Sequence, residues 1–241
     1  MAVAPIDITL LAEHYCATYY LTPNINRKSV MNTNALNFFD KMANSDKLSP
    51  SSVKMAKNSD FTDMDTAFIR KYTDNNSTIL DLGSGTGLIV NKLYPYVKNI
   101  VAVEPFSQFT QYIVENEKIQ IVNCDTASFA SDKKFDAILL FGVMNYMNEE
   151  EAASIYAKYI NYLSENGKMI IKNQFGVSED VTVAGFSEEL QDNYYSQYRH
   201  IDKEIKLLHQ AGFKNVEVTD IYPKECNRWD NTHFYALVVT R

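Results

Sequence analysis

The sequence predicts an α/β protein built on a doubly wound, mostly parallel sheet, and three observations carry that expectation. Residues 79–87, Ile-Leu-Asp-Leu-Gly-Ser-Gly-Thr-Gly, take an apolar run through an acid into three glycines spaced two apart. A second short apolar run, Val97 to Glu104, also ends in an acid. Three more apolar runs follow, Ile119 to Val122, Phe135 to Phe141 and Lys168 to Lys172, as short strands with turn residues between them do.

Each element has a local reason. Asp81 places a hydrogen-bond acceptor at the end of the first strand, and Gly83, Gly85 and Gly87 allow the chain to turn sharply and approach a ligand before the helix-like Leu88 to Tyr94. Glu104 falls 17 residues after Gly87, at the end of the second strand, where a carboxylate can accept both hydroxyl hydrogens of a ribose. The third strand leads into Asn123-Cys124-Asp125-Thr126, and the fourth into Gly142-Val143-Met144-Asn145-Tyr146-Met147. The fifth, Lys168 to Lys172, follows the turn Glu165-Asn166-Gly167. A helix over Ile201 to Gln210 stops at Gly212, and the last two strands are Val216 to Tyr222 and Phe234 to Thr240, seven in all.

The glycine spacing separates two kinds of nucleotide site. A dinucleotide fingerprint reads G-x-G-x-x-G, but here the third glycine is Gly87 and Leu88 holds the dinucleotide position. Acid, apolar residue and G-x-G-x-G in this order resemble the first motif of the class I S-adenosylmethionine-dependent methyltransferases, of the small-molecule type. The resemblance runs over about residues 76–241 and implies a Rossmann-like methyltransferase fold with S-adenosyl-L-methionine as cofactor. It implies that Asp81, Gly83, Ser84, Gly85 and Gly87 pass under the methionine end, that Glu104 with Pro105 holds the ribose, and that Phe106, Asp125 and Thr126 border the adenine. Phe141 and Gly142 then lie by the methyl group. Members of the family commonly carry Gly-Val-Leu-His-His-Leu after the fourth strand. This chain has Asn145 and Tyr146 in place of the histidines, so the usual imidazole base is absent there.

Two regions bear on the acceptor. Residues 1–72 read as an amino-terminal helical extension, or lid, ahead of a methyltransferase domain at 73–241. Ile8 to Tyr20 has apolar residues at helical spacing, which nominates Tyr15 and Tyr19 as substrate contacts; further helices are expected within Asn24 to Asn44 and over Asp60 to Tyr72, with Asp60 as N-cap and a serine-rich loop at 45–52 between them. The second region, 173–200, is long for a connection and reads as an insertion holding Tyr194, Tyr195, Tyr198, Arg199 and His200. Tyr194, Tyr195 and Tyr198 have the spacing of one helix face, so core packing competes with substrate contact. Arg199-His200 stands where small-molecule members often show Arg-Ser, which makes His200, beside Tyr146 and Asn145, a candidate for catalysis; a structural role competes for each.

Composition narrows the partners. Thirty acids against 23 bases give a net charge of −7, and no basic run is present, which argues against a nucleic-acid substrate. Three cysteines without close pairing, Cys16, Cys124 and Cys226, suggest reduced thiols and no metal cluster. Met1 to Tyr20 contains Asp7, Glu13 and His14 and reads as neither signal peptide nor membrane span, so a cytoplasmic protein is expected. Oligomeric state is open. The expectation is a methyltransferase for a small polar metabolite, such as a sugar, nucleotide sugar or phosphorylated compound. Oxygen is preferred as the acceptor because of the histidines near the expected pocket. The alternatives are an N-methyltransferase of a small amine or amino sugar, a non-catalytic cofactor-binding partner protein, and an NAD-dependent oxidoreductase, which the third glycine disfavours.

Overall fold

The computed structural model describes residues 33–53, 60–187, 192–227 and 229–241. Helices α1 (Thr33–Ala43) and α2 (Thr62–Ile69) precede the sheet. Then come β1 (Thr78–Leu82), α3 (Leu88–Leu93), β2 (Asn99–Val103), the short α4 (Ser107–Thr110), β3 (Ile119–Val122) and β4 (Phe135–Phe141). Helix α5 (Glu149–Tyr159), β5 (Leu163–Gly176), the pair β6 (Val181–Ser187) and β7 (Asp192–Tyr198), α6 (Ile201–Gln210), β8 (Asn215–Asp220) and β9 (Thr232–Thr240) complete the chain. The main sheet has seven strands, as expected, and their order is β3-β2-β1-β4-β5-β9-β8; β9 alone runs antiparallel to its neighbours.

Period-two alternation explains why helices cover both faces. Leu80, Leu82, Val101, Val103, Ile138, Leu140, Met169 and Ile171 point to one side, where they pack with Ile155, Tyr156 and Tyr159 of α5 and Leu207 and Leu208 of α6. Their neighbours in sequence, Ile79, Ile100, Ala102, Ala137, Leu139 and Ile170, face the other side against Phe68 and Ile69 of α2 and Val90 and Leu93 of α3. A strand buried on both faces must be apolar at every position, which is why these runs lack polar alternation. The order reverses between β1 and β4, and the crevice at the carboxyl ends of those strands is where such sheets bind ligands.

Three expectations need correction. Helix α2 is shorter than Asp60 to Tyr72 and has Phe61, not Asp60, at its N-cap position, although Asp60 Oδ1 accepts from Thr62 N at 3.0 Å. The fifth strand is longer than Lys168 to Lys172: Leu163 pairs with Phe135 ahead of a bulge, and antiparallel pairing with β9 carries the strand to Gly176 opposite Thr232. The insertion at 173–200 does not put its tyrosines on a helix. It forms the antiparallel pair β6–β7, with Ala184 opposite Tyr195 and Val181 opposite Tyr198. In a strand Tyr195 and Tyr198 face opposite ways: Ser196 and Tyr198 are buried, Tyr195 is half-buried. Tyr15, Tyr19, His14 and Cys16 lie outside the described residues.

Candidate active site

The glycine turn is built on backbone that only glycine tolerates easily. The Gly83 and Ser84 N–H groups both donate to Val103 O, at 2.8 and 3.0 Å, so the chain folds back across the end of β2. Gly83 and Gly87 have φ of 72° and 76°, and a Cβ on them would stand 2.6 Å from Val143 Cγ2 and 2.4 Å from Ile113 Cγ1. Gly87 is the left-handed residue before α3 and shapes the turn without lining the cavity. Above the loop, Thr86 Oγ1 donates to Pro50 O at 2.6 Å and Val53 reaches the cavity wall.

The turn borders a cavity of about 280 Å³. Asp81, Gly83, Ser84, Gly85, Glu104, Pro105, Phe106, Thr126, Phe141, Gly142, Asn145 and Tyr146 all line it. Glu104 accepts from the Gly85 N–H at 3.0 Å and the Phe106 N–H at 3.2 Å, which ties the ends of β1 and β2 together. Burial pushes its carboxyl from the ordinary 4.5 up to about 7, against those two hydrogen bonds and with the nearby Asp81 adding to the rise. Burial alone raises Asp81 from 3.8 to about 7. Ser84 Oγ and Thr126 Oγ1 are buried with no hydrogen-bond partner among the described residues. Two desolvated carboxyls and two orphaned hydroxyls are groups that a ligand carrying an ammonium and several hydroxyls would satisfy. Asp125 does not line the cavity; it closes its own turn, accepting from Ser128 N at 2.7 Å and Ser128 Oγ at 2.9 Å. Thr126 is held from outside by Tyr159 Oη and Lys158 Nζ, both donating to Thr126 O.

Beyond β4 the chain makes one 3-10 turn, Met144–Tyr146, before α5. That helix starts sharply at Asn148, whose side chain accepts from Glu151 N while Glu151 Oε2 accepts from Asn148 N, a capping box. Asn145 Nδ2 donates to Ser196 Oγ at 2.8 Å, and the Tyr146 ring meets Phe39 of α1 edge to face at 5.1 Å. Phe39 also meets Phe109 at 6.5 Å, so α1 covers part of the cavity.

Arg199 and His200 do not line this cavity. The Arg199 guanidinium donates to Glu204 Oε2 at 2.6 Å, to Met144 O at 3.0 Å and to Met147 O. Burial opposes its charge, yet Glu204 overcomes that and raises its pKa; Tyr156 Oη, itself raised by burial, donates to the same carboxylate. A buried cation outside the cavity that holds a carboxylate and two carbonyls is a bracket for the 144–147 turn. His200 Nε2 meets Val177 O at 2.8 Å and the His200 backbone N–H donates to Asp180 Oδ1 at 2.7 Å, so the residue secures the 177–180 turn ahead of β6. His233 pairs with Asp220 and Asn227 outside the cavity, and His209 with Phe213 O. Tyr198 lines the cavity but Tyr195 does not.

Residues that sequence reasoning passed over close the far end. Asp65 of α2 accepts from Tyr222 Oη at 2.5 Å and pairs with Lys172 Nζ at 3.3 Å; Lys172 also lies 5.3 Å from the Phe141 ring centroid and 5.2 Å from that of Tyr222. Asn173 and Gln174 follow Lys172 on β5 and are buried in the lining. Their place at the carboxyl end of a strand beside the switch point was the available signal. Asp65 had none, since its helix approaches from a different part of the chain.

A methyltransferase-domain family model matches residues 79–167. An uncharacterised methyltransferase of Bacillus cereus (strain ATCC 10987 / NRS 248) is 26% identical over 132 residues, 49% of this chain, which spans 62% of that protein's length. Among solved structures, a S-adenosylmethionine-dependent methyltransferase of Leishmania major superposes with a TM-score of 0.67 at 14% identity, covering 85% of this chain and 82% of that one. A DhpI complex with its cofactor superposes at 0.65 and 12% identity, covering 91% and 100%. The two structural likenesses concern the fold alone. The matched methyltransferase domain begins at the glycine turn, and the seven-stranded sheet around it has the fold of these methyltransferase structures.

Proposed function

We propose that this chain transfers a methyl group from S-adenosyl-L-methionine to a small polar metabolite. The observation that carries the reading is the pairing of desolvated Asp81 and Glu104 with the orphaned Ser84 and Thr126 hydroxyls around one cavity at the switch point. In this reading Glu104 holds the ribose hydroxyls, Asp81 and the Gly83–Gly85 backbone hold the methionine end, and Phe106 flanks the adenine. The cofactor, when bound, supplies an electrophilic methyl on a sulfonium. The residues of the chain orient the acceptor in line with it, and Phe141, Asn145, Tyr146 and Tyr198 exclude water there; orientation is the main catalytic term such a site provides.

The preference for an oxygen acceptor rested on histidines near the pocket. None of His200, His209 and His233 lines the cavity, and His14 lies outside the described residues. Titration calorimetry with S-adenosylhomocysteine tests the cofactor assignment. Stoichiometric binding is expected, and its loss is expected in Gly85→Arg, whose side chain would grow toward Val53 in the cavity wall. No binding by the wild type would sink the assignment. Stoichiometric binding by Gly85→Arg equal to the wild type would place the cofactor elsewhere.

A further inference from the structure

Strand register gathers four side chains on the face of the sheet that packs against α2. Asp81 of β1 stands opposite Leu139 of β4, and Phe141, two residues further on, stands opposite Lys172 of β5. Lys172 is in turn opposite Ala236 of β9, two residues from Phe234. Period-two alternation therefore sends Asp81, Phe141, Lys172 and Phe234 to the same side, and all four line the cavity. Among the described residues that line it, Lys172 is the one basic side chain. Its side chain is 15% exposed, and its ammonium lies 3.3 Å from Asp65 Oδ2. That is longer than the roughly 2.7–2.9 Å of a charge-assisted hydrogen bond. The ammonium donates no hydrogen bond among the described residues. Asp65 is meanwhile drawn on from its other oxygen, since Oδ1 accepts from Tyr222 Oη at 2.5 Å. Asp65 thus fixes the position of the lysine without using its three hydrogens.

We propose that Lys172 anchors a carboxylate carried by the methyl acceptor. This rests on the methyltransferase reading above and deepens it by naming the charge of the substrate. An ammonium taken largely out of water needs acceptors for its hydrogens, and the open side of Lys172 is the cavity. The surroundings strengthen a charge pair there: the Phe141 and Tyr222 rings flank the ammonium at 5.3 and 5.2 Å, and Phe61 and Phe234 pack on Tyr222 at 4.3 and 5.2 Å. The ligand's charge is limited to one. Asp60, Asp65, Asp81 and Glu104 line the same cavity, so a phosphate dianion meets more repulsion than a single lysine offsets, whereas a carboxylate brings one charge and two acceptor oxygens.

The test uses the full chain, with and without saturating S-adenosylhomocysteine, and reads dissociation constants by ligand-observed NMR at low salt and mildly alkaline pH. Benzoate, its near-isosteric neutral partner benzamide, and phenyl phosphate are the probes. Benzoate is expected to bind at least about fivefold more tightly than either of the others. Lys172→Met is expected to weaken benzoate about tenfold or more, while benzamide and S-adenosylhomocysteine stay within about twofold. Asp65→Asn keeps an oxygen for Tyr222 but removes the negative charge beside the lysine, and is expected to tighten benzoate about threefold or more. A lysine that only ties α2 to the sheet would produce neither shift. Circular dichroism melts report folding, and if Lys172→Met does not fold, Asp65→Asn decides. No binding of benzoate, equal binding of benzamide or phenyl phosphate, unchanged benzoate affinity in folded Lys172→Met, or unchanged or weaker affinity in Asp65→Asn overturns the carboxylate site. If S-adenosylhomocysteine does not bind while benzoate binds through Lys172, the methyltransferase reading falls and the carboxylate site stands.

Discussion

Glu104→Gln isolates the energetic cost of keeping a carboxyl in the cavity. In the folded chain this group is buried and its pKa rises from 4.5 to about 7, so the folded state holds the proton more tightly than the unfolded state. The sign follows: the stabilisation is fully present below 4.5 and is lost as pH rises through about 7. Between pH 8 and pH 5 that difference is worth about 2.5 kcal/mol for Glu104 alone. A glutamine cannot titrate, and it also leaves one of the Gly85 and Phe106 N–H groups without its acceptor, a constant penalty of about 1 kcal/mol at any pH. Urea denaturation followed by circular dichroism at several pH values separates the two effects. Wild-type stability relative to the variant is expected to grow by about 2.5 kcal/mol on going from pH 8 to pH 5. Saturating S-adenosylhomocysteine, whose ribose hydroxyls would donate to the charged carboxylate, is expected to shrink that growth. Parallel pH profiles for wild type and variant would refute the argument, because they would mean that Glu104 titrates alike in the folded and unfolded chains.

Other substitutions probe the frame around the site. Gly87→Ala places a Cβ 2.4 Å from Ile113 Cγ1 at φ 76°, and a loss of about 2–4 kcal/mol in urea unfolding is expected, whereas Gly185→Ala, with open space around it, should change stability by about 1 kcal/mol or less. Arg199→Met leaves Glu204 buried without its cation and releases the 144–147 turn, an expected cost of about 3–5 kcal/mol by the same measurement, part of which returns in the double variant Arg199→Met/Glu204→Leu. With a competent methyl acceptor in hand, His200→Ala should keep turnover within about threefold of wild type, since its ring contacts Val177 O outside the cavity; a loss of a hundredfold would give the imidazole back a catalytic part. Tyr146→Ala should lower turnover by about tenfold or more, because it opens the cavity beside Phe39 and lets the acceptor wander from line.

Much of the fold was legible because its signals are local. Continuous apolar runs of four to seven residues mark strands buried on both faces, and β1 to β4 appear within a residue or two of where those runs lie. Helix α6 occupies Ile201–Gln210 as its periodicity and Gly212 indicate. The pair β6–β7 was misread because three tyrosines at positions 194, 195 and 198 satisfy a helical spacing by coincidence. The β-branched run Val181-Thr182-Val183 was the better guide, but its partner strand is polar and pairs with it across a connection. The carboxyl end of β5 was read too short because its last four residues are held by antiparallel pairing with β9, some sixty residues away in sequence.

At the site, the sequence by itself determined the glycine turn: glycines at positive φ, an acid before them and an acid at the end of the next strand are requirements of backbone geometry and local hydrogen bonding that a short motif can spell out. Tertiary structure alone decided the roles of the polar side chains around the rest of the cavity. Whether Arg199 faces a substrate or brackets a turn depends on Glu204 and the Met144 and Met147 carbonyls. Whether Gln174 offers an oxygen or a nitrogen depends on Thr232, 58 residues later. The physical reason is that a polar side chain's role is set by which partners have already used its hydrogen-bonding capacity, and those partners are brought together by the packing of the sheet rather than by neighbours in the chain.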